Sequence, residues 1–151
     1  MIITNVHNIH SGYNQAYIYI WVSKLYSVLY IGMTNNSSGS IGRANGHFNR
    51  RGTFRKRFIE NKGIGIENVN DLILLTFPLP KKREYTGLES SYRESVEYLV
   101  VKKLQLKRGL LMPIFDVVSW HDRTPKRLNN SEIKNISDQI VLEFEGVYPT
   151  L

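Results

Sequence analysis

The sequence predicts a small α/β (α+β) domain in which helices flank a central antiparallel or mixed sheet of about three to four strands. Three observations lead there. Two runs rich in aromatic and β-branched residues, "AYIYIWV" and "SVLYIGM", follow each other closely enough to form an antiparallel hairpin. A third apolar run, "DLILLTF", is cut off by "PLP" and reads as a buried strand. Between and after these come segments of helical periodicity, giving the order β-β-α-α-β-α-β that suits a layered fold.

Each element has a local cause. Residues 1–15 scatter Asn, Gly and Ser among few apolar residues and read as irregular. "SKLY" makes or flanks the hairpin turn. "TNNSSGSIG" is a polar Gly- and Ser-rich loop, and Ile41 to Phe48 reads as a short helix weakened by Gly42 and Gly46. "TFRKRFIENK" follows as a second helix, with Thr53 as its cap and Phe54, Phe58 and Ile59 turned inward. The longest element spans Leu88 to Lys107. Ser90 or Ser91 caps it, acids crowd its start, bases crowd its end, and Gly109 stops it. "IFDVVSW" is a fourth strand set off by Pro113. After the polar "HDRTPKRLNN", a short amphipathic helix carries Ile133, Ile136 and Ile140, and "VLEFEGV" reads as a last strand.

At 151 residues the chain is read as a single domain, 1–151. No apolar run approaches the roughly 20 residues of a membrane span, and the start lacks the pattern of an export signal. Without cysteine, disulfides, zinc–thiolate sites and cysteine nucleophiles are excluded, which agrees with a cytoplasmic, intracellular protein. The formal net charge is +7. Arg43, Arg50, Arg51, Arg55, Lys56 and Arg57 follow one another with no acid between them, interleaved with Phe48, Phe54 and Phe58; "KKR" at 81–83 and "KKLQLKR" at 102–108 add two clusters. Basic stretches with aromatic anchors are a footprint of nucleic-acid contact, and also of a solvated helix face.

Two placements stand out. Val96, Leu99, Val100, Val101 and Leu104 form one apolar helical sector, and Glu97 falls inside it. A buried carboxylate needs a cationic partner, a metal ion or a proton. Arg93, four residues earlier, is the nearest candidate for an ion pair. Arg43 and His47 also stand four apart, on one helical face after the Gly-rich loop. Together they can hold a phosphate and move a proton, or simply face solvent. His7, His10 and His121 read as polar surface.

In order, "YIY" at 17–19, "YIG" at 30–32, Arg43, His47 and the helical Glu97 form a pattern that resembles the GIY-YIG nuclease superfamily over roughly residues 16–118, with 119–151 as a C-terminal extension. Tyr17 stands where the first motif has glycine, Met33 where some members carry lysine, and the asparagine expected after the Glu helix has no match. The resemblance implies a metal-dependent endonuclease acting on DNA, similar to small restriction enzymes that commonly work as homodimers. It implies that Glu97 anchors one divalent cation (Mg²⁺ or Mn²⁺), that Arg43 grips the scissile phosphate, and that Tyr19 or Tyr30 activates water with help from His47. Arg50, Arg51, Arg55, Lys56 and Arg57 are then the residues expected to contact DNA. A phenol beside Arg43, His47 and a metal is expected to lose its proton more easily than a free tyrosine. The rival expectation is a non-catalytic nucleic-acid-binding module of the same fold; a repair, mobile-element or RNA nuclease would share the chemistry.

Overall fold

The computed structural model describes residues 15–37, 39–107 and 114–151. The expected irregular start, His7, His10, the Gly109 stop and Pro113 fall on residues outside those described.

Strands β1 (Tyr17–Ser23) and β2 (Val28–Thr34) form the predicted antiparallel hairpin, with Tyr19 opposite Gly32 and Trp21 opposite Tyr30. Strand β3 (Ile73–Pro78) lies antiparallel on the other side of β1. Strand β4 (Asp116–Val117) pairs in parallel with β2, so the sheet order is β3-β1-β2-β4. This is the expected mixed four-stranded sheet. Helices α1 (Gly39–Phe48), α2 (Thr53–Lys62), the one-turn α3 (Arg83–Thr86), α4 (Ser91–Lys107) and α5 (Ser131–Val147) complete the described elements, with two short 3₁₀ turns.

Strand alternation divides the core in two, because neighbouring side chains of β1 point to opposite faces. Ile18, Ile20 and Val22, with Leu29 and Ile31 of β2, pack with Val96, Val100 and Leu104 of α4 and with Ile133, Ile140 and Phe144 of α5. Tyr19 and Trp21, with Val28 and Tyr30, pack with Phe54 and Phe58 of α2. The sheet is therefore covered on both sides, and Tyr19 and Tyr30 belong to the face beneath α1 and α2.

Several expectations are corrected. "VLEFEGV" is not a strand: α5 runs through it, because Val141 and Phe144 continue the helical stripe of Ile133 and Ile140. A short apolar run does not by itself separate strand from helix, and the asparagine cap at Asn130 starts a helix that nothing interrupts. "DLILLTF" is a half-buried edge rather than a fully buried strand. Thr53 lies inside α2, whose cap position is Gly52, and Ile59 faces solvent while Phe54 and Phe58 face in. The fourth strand shrinks to two residues, extended by the Ser119 side chain. Its Oγ accepts from Ile31 N at 2.6 Å and donates to Ile31 O at 2.7 Å, imitating a strand backbone.

Two of the basic clusters meet acids on α5. Lys82 meets Glu132, Lys103 meets Asp138 and Lys107 meets Glu145, all fastening α5 or its start to the rest of the molecule. Among the described residues no helix is long and apolar enough to cross a membrane.

Candidate active site

Four side chains meet above the hairpin. Arg43 and His47 come from the same face of α1, one turn apart, and both reach the Tyr19 hydroxyl. The His47 Nε2–Tyr19 Oη distance is 2.8 Å, and Arg43 Nε–H donates to the same oxygen at 3.3 Å. Tyr30 lies alongside, its ring centroid 6.4 Å from that of Tyr19 and 5.3 Å from that of His47. Phe54 stacks on Tyr30 at 5.0 Å and holds the ring from the α2 side.

Gly32 is what makes the arrangement fit. It lies opposite Tyr19 in the hairpin, and a Cβ there would fall 2.1 Å from the Tyr19 hydroxyl oxygen and 2.3 Å from Cζ. The phenol therefore lies across a bare strand backbone. The glycine of one strand makes room for the tyrosine of the other.

Electrostatics define the protonation states. Burial pulls His47 down to about 4, and the neighbouring Arg43 charge adds to the effect. His47 is 3% exposed and neutral at pH 7. Neutral imidazole leaves one ring nitrogen free to accept, so Tyr19 O–H can donate to Nε2 while Arg43 donates to the phenol oxygen. Both phenols nonetheless sit above the usual tyrosine range, burial being the main cause for each. Arg43 pulls the other way for both and Glu97 adds to the rise. In the protein alone Arg43 acts in the expected direction, and removal from water outweighs it.

Glu97 lies within electrostatic range of Tyr19, Tyr30 and Arg43. The helical carboxylate therefore belongs to the same neighbourhood as the hairpin phenols. Its expected partner is corrected. Arg93 is turned away and buried, donating to the carbonyls of Tyr85 and, at 2.9 Å, Gly87. The group beside Glu97 is His121, whose Nε2 stands 3.5 Å from Oε1. His121 is therefore not the surface residue expected; it is largely enclosed and meets Tyr98 edge to face. Sequence reasoning missed it because the contact joins residues 24 positions apart (121 − 97) on separate elements, with no local motif to signal it.

Among the described residues there is no group of three His, Cys, Asp or Glu side chains placed to hold a metal ion. A metal enclosed wholly by protein ligands does not fit. A hard cation such as Mg²⁺, which takes one or two carboxylates and completes its shell with water and phosphate oxygens, does fit a lone, half-buried carboxylate such as Glu97.

The expected DNA-contacting residues divide. Arg50 and Arg51 are exposed beyond α1. Arg55 makes a two-pronged contact with Glu67, at 2.6 and 3.1 Å, and Lys56 stands 3.8 Å from Glu60. These four basic residues, with Ile59 and Glu60, line one surface groove. Arg57 faces elsewhere, stacked over the Trp120 ring. The acid-free stretch of sequence is therefore partly answered by Glu67 and Glu60 in space.

Comparison with known protein families, with characterised proteins and with solved structures yields no match.

Proposed function

We propose that this chain is a divalent-metal-dependent endonuclease of the GIY-YIG type that hydrolyses phosphodiester bonds of DNA. The observation that carries the reading is the Tyr19 hydroxyl held between His47 Nε2 and Arg43 Nε. A phenol that accepts from a guanidinium and donates to a neutral imidazole is set up to pass on a proton.

In this reading Tyr19 takes a proton from the attacking water as its own moves to His47 Nε2. A neutral imidazole at pH 7 is the form that can receive it. Arg43 stabilises the phenolate as it develops and presents its remaining donors to phosphate oxygens, a task to which a guanidinium is better shaped than an ammonium. Tyr30 orients the water or the phosphate from its place beside Tyr19. Glu97 would hold the cation, and the chemistry such an ion supplies is positive charge for the phosphate and the departing oxygen. Arg50, Arg51 and Lys56 supply sequence-independent attraction along the strand, with Arg55 sharing its charge with Glu67. Cutting both strands of a duplex calls for a second active site, which a homodimer would provide.

The test is incubation of supercoiled plasmid with protein and Mg²⁺. Nicking or linearisation by the wild type, abolished in Glu97→Ala and Arg43→Ala, supports the proposal; no cutting, or equal cutting by both variants, removes it. One observation favours a second reading, a nucleic-acid-binding module without turnover: burial keeps both phenols protonated in the protein alone. That module binds DNA in a salt-dependent way and never cuts it, whichever of single-stranded, duplex, branched or RNA substrates is offered.

A further inference from the structure

At the β4 edge of the sheet, α2 and α4 leave a cleft of about 400 Å³. This is within the roughly 300–1,000 Å³ range of ligand sites. Its walls carry Arg57, Glu60 and Asn61 from α2, Gln105 from α4, and Asp116, Ser119 and Trp120 from β4 and beyond. We propose that this cleft, built around the Arg57–Trp120 stack, receives an unstacked nucleobase of a bound nucleic-acid strand. The inference rests on the reading that nucleic acid is the ligand of this chain, and it adds a base-binding site that the active-site residues do not supply.

Four features carry it. Trp120 is 63% exposed although it is the larger type of aromatic, and Arg57 stacks on its ring. A rigid indole backed by a guanidinium is a stacking platform for a base, because every base offers a π-face. Second, the platform is fixed. The paired hydrogen bonds of Ser119 with Ile31 lock the chain immediately before Trp120 to β2. Third, the wall has polar groups suited to a base edge. Asn61 and Gln105 each offer a donor and an acceptor. Fourth, both carboxylates of the cleft stand beside cations, which offsets their repulsion of a phosphodiester: Asp116 accepts from Lys62 Nζ at 2.9 Å, and Glu60 Oε1 is 3.8 Å from Lys56 Nζ.

The position links the cleft to the site already described. Trp120 touches α2 through Arg57, and the next residue, His121, touches α4 beside Glu97. Phe54, one helical turn before Arg57, stacks on Tyr30. A base held on Trp120 is thereby tied through adjoining residues to both Tyr30 and Glu97.

Intrinsic fluorescence tests this directly. The only other tryptophan, Trp21, is buried, so a ligand-induced change in emission reports on Trp120. Titration is done in EDTA, so no cleavage is needed, with short single-stranded oligonucleotides that are either intact or abasic throughout and of equal charge. The intact strand is expected to quench the wild type and leave Trp120→Phe emission unchanged. Trp120→Ala is expected to bind it about tenfold more weakly, the loss of one base stack. The abasic strand should bind the wild type no better than the intact strand binds Trp120→Ala. Gln105→Ala, a milder change in the same wall, should weaken the intact strand several-fold and leave the abasic strand unaffected. Equal affinity of wild type for both strands, or equal quenching in Trp120→Phe, overturns the inference. Quenching without plasmid cutting would remove the nuclease reading and leave this one standing; cutting without quenching would do the reverse.

Discussion

The Tyr19 phenol lies so close over Gly32 that a single methyl group on the glycine would occupy the space of the phenol's own oxygen. Strand pairing puts the two residues opposite each other, and the bare backbone lets the ring lie down toward Arg43 and His47. Gly32→Ala is therefore predicted to cost about 1–3 kcal/mol of stability through overpacking. On the proposed nuclease reading it should also lower DNA cleavage by roughly 10²-fold, the scale of a displacement near 1 Å at a reacting group. Urea unfolding and plasmid cleavage at a temperature where the variant remains folded would separate the two effects. Unchanged cleavage would show that the Tyr19 position does not matter.

Because Arg43 and His47 act on one phenol oxygen, variants of the trio should not be additive. Tyr19→Phe keeps the ring over Gly32 and removes only the hydroxyl. It is expected to reduce the cleavage rate by roughly 10²–10⁴-fold, the usual worth of a positioned acid–base group. Adding His47→Gln to Tyr19→Phe should cost little more, since the imidazole then has no phenol to serve. If the two losses multiply in single-turnover cleavage, the residues work independently and the relay is wrong.

His47 also gives the fold a pH signature. Its folded value, near 4, lies below the ordinary histidine value of 6.5. Between those values the unfolded chain takes up a proton that the folded chain does not, so stability is full above pH 6.5 and falls as pH drops toward 4. The shift corresponds to on the order of 2–3 kcal/mol by the lower end of that window. His47→Gln should be less stable than wild type at pH 7 and close much of the gap at pH 4.5. Parallel stability–pH curves for the two proteins, measured by denaturant unfolding, would contradict the buried neutral imidazole.

The parts of this molecule that were legible in the sequence are those encoded by neighbours. The hairpin was written in alternating aromatic and β-branched residues, and the pairing of Arg43 with His47 followed from helical spacing alone. Glu97 was visible as a charge in an apolar sector, and its field does reach both phenols. What was not legible depends on distant contacts. The Glu97 neighbour arrives from the chain after β4, and Trp120 meets Arg57 across 63 positions (120 − 57). The last apolar run was ambiguous in its period, and only its continuity with Ile133 and Ile140 on the surface facing α4 makes it helix. Local pattern fixes which elements form; partner choice among charged groups follows from packing that no window of sequence contains.

Arg93 and Glu97 show how that difference can be measured. They stand four residues apart on α4, Arg93 buried and Glu97 half-buried, and the simplest inference pairs them. In the fold Arg93 instead donates to the carbonyls of Tyr85 and Gly87, closing the turn that leads from α3 into α4. Arg93→Met keeps the aliphatic length but leaves those carbonyls without their charged donor. It is predicted to cost about 2–3 kcal/mol of stability, the range for hydrogen bonds to a charged group. Because the guanidinium faces away from Glu97, the Mg²⁺-dependent cleavage proposed above should remain within about twofold of wild type per folded molecule. Glu97→Gln should do the opposite, preserving the unfolding midpoint while removing cleavage by roughly 10³-fold, on the scale of several kcal/mol of transition-state charge stabilisation. A loss of cleavage in folded Arg93→Met equal to that in Glu97→Gln would mean that the two side chains act together, and that the carboxylate owes its charge to Arg93 rather than to a bound cation.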